Sequence, residues 1–145
     1  MQRVLLGMAT AMLLFTSAAQ ADVIADRKAM MKQKNGASIG VLVKTVKGEM
    51  DYDAAAVLAA FKTMREGTEG FDKLFPEDSK TGGDTTASPK IWEDMAGFKA
   101  TLDKFHADLD EAIAAAPQDK AAFMPYFQKV AGDCQTCHET YRVKK

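Results

Sequence analysis

An all-α fold, an antiparallel four-helix bundle of up-down-up-down order, is what this sequence predicts. Apolar residues recur at three- and four-residue spacing along most of the chain, the alternation of a strand is nearly absent, and β-branched residues are scattered. The helical runs are separated by short breaks and one long one, as four antiparallel helices require. No internal repeat, second domain or low-complexity tract interrupts the pattern.

The first 21 residues, MQRVLLGMATAMLLFTSAAQA, stand apart from it. Arg3 is a positive n-region, Val4 to Phe15 an apolar run, and Ala19-Gln20-Ala21 a small-x-small cleavage site, which together read as a secretory signal peptide. The run is shorter than the roughly 20 apolar residues that span a bilayer, so no membrane anchor is expected. Cleavage after Ala21 leaves residues 22–145, which are 124 residues in a single bundle domain located in the periplasm. Arg3 is the one base removed and no acid goes with it, so 18 Lys and Arg face 20 Asp and Glu, a formal charge of −2. Such a balance gives no reason to expect nucleic acid as a partner.

The first mature helix is expected from Val23 to about Val46, closed by Lys47-Gly48-Glu49, with Asn35-Gly36 and Gly40 weakening its middle. The second carries the stripe Leu58, Phe61, Met64 or Arg65, Thr68, Phe71 and Phe75, with Asp51 or Asp53 as cap, Pro76 as stop, and Gly67 and Gly70 loosening its second half. Residues Glu77 to Ala87, rich in Gly, Ser, Thr and Asp, form the one long loop. Ser88-Pro89 then starts a long third helix whose apolar positions Ile91, Met95, Phe98, Leu102, Phe105, Leu109, Ala112 and Ala116 keep a 4-3-4-3 spacing up to Pro117. On the fourth, Phe123, Phe127, Val130, Cys134, Cys137 and Tyr141 share one seam, and Pro125 either kinks the run or sets its start.

The chain's chemistry is concentrated on that seam. Both cysteines stand three apart in GDCQTCHETYR, with His138 directly after the second. A disulfide over so short a loop removes little unfolded-state entropy and makes a poor staple. A thioredoxin-like pair belongs at a helix start after a strand, and no such strand is expected here. Structural zinc asks for four ligands, yet His106 is the only other histidine and there is no third cysteine. Cys-x-x-Cys-His is instead the attachment signature of one c-type haem, with Cys134 and Cys137 forming thioethers to the porphyrin and His138 binding the iron. His106 adjoins the third stripe without joining it and reads as a boundary residue, while Trp92, Phe98 and Phe105 read as bundle core.

With CQTCHETYR at the C-terminus, RKAMMK at 27–32, KGEMDYDAAAV at 47–57 and SPKIW at 88–92, the mature chain resembles the class II c-type cytochromes along nearly its whole length. That class comprises cytochrome c′ and low-spin relatives with a methionine ligand. The resemblance implies the bundle independently of the periodicity. It implies that Met31, four residues after Arg27, faces the iron from the distal side, with Met30 as the second candidate, about 100° round the helix. It also implies that Arg27 pairs with a haem propionate, that Tyr141 packs against the macrocycle and that Arg142 tunes the proximal side. The interval from Arg27 to Lys47-Gly48 is one residue longer than is usual in cytochrome c′.

The expected function is electron transfer by a periplasmic monohaem protein, not an enzyme, with His138 and Met31 as axial ligands. The alternative within the class is a five-coordinate protein that binds nitric oxide or carbon monoxide. Periplasmic redox proteins are the expected partners, and the resemblance adds a homodimer paired through the first two helices as a further possibility.

Overall fold

The computed structural model describes residues 23–144, and the expected signal peptide lies outside them. Helix α1 covers 23–47 as one continuous rod, wound α over 23–29, π over Met30–Gly36 and α again over Ala37–Lys47. It stops at Gly48, whose φ of 75° is a left-handed C-cap, with the Glu49 N–H returning to the Lys44 carbonyl at 2.9 Å. Asn35-Gly36 therefore does not break the helix. It widens one turn, the way a helix absorbs an extra residue without losing phase at its ends.

Asp53 caps α2, Ala54–Gly67, by accepting from the Ala56 N–H at 3.0 Å. The helix ends at Gly67 rather than running on to Phe75. Phe71 and Phe75 still point inward, from a 3-10 turn at Phe71–Leu74 and the residue after it. The expected single third helix is divided. A short α3, Lys90–Glu93, is followed by Asp94 in non-helical backbone, φ −137° and ψ 62°, and α4 runs over Met95–Ala115. Asp94 causes the break, because its carboxylate accepts from the Gly97 N–H at 2.9 Å and caps a new helix instead of continuing the old one. Asp119 does the same for α5, Lys120–Tyr141, which passes through Pro125 uninterrupted.

Helix α1 packs on α2 and α5, α2 on α4, and α4 on α5, closing a ring. The two short connections lie at one end of it, tied by the Tyr52 hydroxyl donating to the Pro117 carbonyl at 2.6 Å and by Lys120 Nζ donating to the Val46 carbonyl at 2.9 Å. That end holds a core of Leu42, Val57, Phe61, Met64, Leu109, Phe123 and Val130, and it is closed. Each such side chain contributes about 1.5–3 kcal/mol by burial. The long connection and the C-terminus meet at the other end, where Ser88 N–H donates to the Tyr141 carbonyl and Val143 N–H to the Thr86 carbonyl, both at 2.9 Å. A second cluster, Phe71, Phe75, Ile91, Phe98 and Tyr141, surrounds a cavity there instead of filling the space.

Candidate haem-binding site

The cavity holds about 430 Å³ and has walls from every part of the chain that reaches this end. Helix α1 contributes Arg27 and Met31, the long connection Phe71, Phe75 and Thr85 to Ala87, the middle of the chain Ile91 and Phe98, and α5 Cys137, His138 and Tyr141. The aromatic walls are braced edge to face, Phe75 on Phe98 at 4.9 Å and Phe98 on Tyr141 at 5.2 Å between ring centres. Gly97 stands where the chain needs no side chain, since a Cβ there would lie 2.9 Å from the Tyr141 hydroxyl.

Six of the seven residues expected at the site therefore line one space: Arg27, Met31, Cys137, His138, Tyr141 and Arg142. Cys134 does not. It is half-buried against the closed core, because three residues of α5 carry it about 4.5 Å toward that end. Met30 packs among the aromatic cluster and is not part of the lining.

Arg27 is 4% exposed, which excludes a solvated surface charge. Its two terminal nitrogens donate to the Leu74 carbonyl (3.2 Å), the Ser79 hydroxyl (3.1 Å), the Ser79 carbonyl (3.0 Å) and the Thr85 hydroxyl (2.7 Å). Its guanidinium carbon lies 4.9 Å from the centre of the Phe75 ring. All four acceptors are neutral, and burial pulls its pKa down. A buried cation held only by dipoles costs several kcal/mol of desolvation, which an anion in the cavity would offset.

The two cysteines form no disulfide with each other. Burial pushes Cys134 up to about 11 and raises Cys137 as well, the reverse of a reactive redox pair, whose thiolate is stabilised. Burial, with Arg142 behind it, lowers the His138 pKa, so its imidazole stays neutral and keeps a lone pair for a metal. Among the described residues, no three His, Cys, Asp or Glu side chains gather into a site of the zinc type. Apolar walls, a neutral imidazole beside a thiol, a thioether and an uncompensated guanidinium fit a haem.

The sequence profile described as Cytochrome C' matches residues 22–142. The chain belongs to the cytochrome c′ family. It is 42% identical over 119 residues to a cytochrome c-556 of Agrobacterium tumefaciens, covering 82% of this chain and 95% of that protein. The solved cytochrome c′ of Rhodopseudomonas palustris superposes with a TM-score of 0.81 at 40% identity, over 86% of this chain and 98% of that one. A nitric oxide complex of a cytochrome c prime variant from Alcaligenes xylosoxidans superposes with a TM-score of 0.75 at 27% identity, over 87% of this chain and 97% of its own. As a member of that family the protein is a monohaem c-type cytochrome rather than an enzyme, with covalent haem c as its cofactor and Cys134 and Cys137 as the two cysteines available to hold it.

Two parts of the site escaped the sequence reading. The loop Glu77 to Ala87, taken as mere connection, supplies one wall and three of the four acceptors for Arg27. Nothing local marks Ser79 or Thr85 for that role, since they meet Arg27 across 52 and 58 residues. The other is Asn35, which is buried. Its place on the apolar stripe, four residues after Met31, was the available signal.

Proposed function

We propose that this cytochrome is a periplasmic electron carrier with His138 as proximal and Met31 as distal ligand. The observation that carries the reading is that a methionine of α1 and the histidine of the haem motif on α5 line one cavity. Bound haem supplies a one-electron ferric/ferrous couple, and a thioether ligand raises its potential. Cys134 and Cys137 hold the cofactor to α5, Cys134 by turning its side chain from the closed core. Arg27 would offset the charge of a haem propionate, while the four hydrogen bonds of its terminal nitrogens keep the loop wall in place. Phe75, Phe98 and Tyr141 exclude water from the ring and so keep the electrostatics of the site fixed during transfer. Arg142 adds positive charge on the proximal side.

Residues 1–21 are read as the export signal, and no helix among the described residues is long and apolar enough to cross a membrane. The intact mass of exported material should equal residues 22–145 plus one haem, and a bare polypeptide mass would end the account. Redox proteins of the same compartment are the partners.

A second reading, a five-coordinate protein that takes up nitric oxide or carbon monoxide, draws on the likeness to a cytochrome c prime in complex with nitric oxide. The reduced absorption spectrum separates the two. Sharp low-spin α and β bands that vanish in Met31→Ala support the His/Met carrier, whereas a broad high-spin spectrum in the unaltered protein supports the gas-binding reading.

A further inference from the structure

We propose that Asn35 is the positioning residue of the distal ligand. Its side-chain amide donates to the Met31 thioether, steers that sulfur and raises the reduction potential. The inference rests on Met31 being the distal ligand.

The amide nitrogen of Asn35 lies 3.3 Å from the Met30 carbonyl oxygen and 3.9 Å from the Met31 sulfur. Neither atom can donate, so the nitrogen, and not the amide oxygen, must face them. The oxygen is buried without a hydrogen-bond partner. A half-satisfied buried amide opposes folding, so stability does not explain an asparagine where leucine would fill the same space.

The backbone is shaped for the contact. In an α-helix, residues four apart overshoot one another by about 40°. The wider π turn of Met30–Gly36 holds both Met31 and Asn35, and within it the Asn35 amide nitrogen reaches the Met31 sulfur at 3.9 Å. Gly36 lets the turn close, since a Cβ there would stand 3.2 Å from the Met31 carbonyl oxygen.

A thioether sulfur has two lone pairs. With one accepting from Asn35, the other is left to point at a metal, and the three rotatable bonds of the methionine side chain lose their freedom. Donation to the sulfur also withdraws density from it. The ferric state depends more on that density than the ferrous state, so the contact favours ferrous iron.

The test is potentiometry of the haem-loaded protein with Asn35→Leu, made both with Met31 present and in Met31→Ala. With Met31 present, the variant should keep its low-spin bands and shift the equilibrium three- to tenfold toward ferric iron, where tenfold corresponds to about 59 mV for one electron. With Met31→Ala the same change should shift nothing. An unmoved potential in a low-spin protein, or equal shifts in both backgrounds, overturns the proposal and leaves Met31 ligation standing. A high-spin unaltered protein removes Met31 ligation itself, before any Asn35 variant is made. Should Asn35→Leu not fold, the unaltered ferrous low-spin protein decides by NMR. An Overhauser contact between the Asn35 amide protons and the Met31 ε-methyl supports the proposal, and its absence sinks it.

Discussion

Arg27 is the side chain on which the open end depends most directly. Four hydrogen bonds from one guanidinium hold Leu74, Ser79 and Thr85, and with them the wall of the cavity. Arg27→Met keeps the side-chain bulk but leaves those acceptors without donors. The holoprotein should lose about 2–4 kcal/mol in a guanidinium-chloride titration, given the usual worth of charge-assisted bonds. Arg27→Lys should recover less than half of it, because an ammonium cannot reproduce the planar fork. A lysine variant as stable as the parent would show that the charge, not the fork, matters. The sequence, through the family resemblance, offers this arginine a propionate, but not its protein partners, which all belong to residues 74–85.

Helix packing around the π turn makes a sharper demand on α2. A Cβ added at Gly67 would lie 2.7 Å from the Cβ of Lys34, so the two helices cross where only glycine fits. Helix propensity favours Gly67→Ala by nearly 1 kcal/mol, but overpacking costs about 1–3 kcal/mol and should win. Thermal unfolding of the variant should fall below the parent, and a rise would mean that the crossing is loose. At the start of α4, Asp94→Ala removes the cap on Gly97 and should cost about 1 kcal/mol. Circular dichroism should report frayed helix there rather than a joined α3 and α4. Periodicity located the main helices but carried the second past Gly67 to Phe75 and the third through Asp94, because a cap at a helix interior looks polar in any register. It also took Gly67 for a local weakness, whereas its reason lies on another helix.

Over the whole molecule, His106 gives the stability an acid limb. The Thr68 hydroxyl donates to the Met64 carbonyl at 2.8 Å and therefore accepts from His106 Nε2 at 2.9 Å. Burial first, and Arg65 next, hold the His106 pKa below its ordinary 6.5. The unfolded chain then binds more protons than the native one between that depressed value and about 6.5, so stability rises with pH through the window and is lost as pH falls through it. Unfolding midpoints measured from about pH 7.5 down to 5 should decline in the parent and decline less in His106→Gln. Equal slopes in both proteins would remove His106 from the account.

From the sequence alone came the helical class, the bundle and the haem-attachment motif, because each is written in local spacing: a stripe repeats every turn, and Cys-x-x-Cys-His occupies five consecutive positions; Arg27, Met31 and Arg142 came from the family resemblance instead. Only the tertiary structure decided that one end of the bundle is packed shut while the other opens into a cavity, that Arg27 is buried among neutral oxygens, and that Met31 lines the cavity while Met30 does not. Those outcomes depend on contacts between segments tens of residues apart and on a turn wound wider than the α-helix, neither of which leaves a periodic trace along the chain.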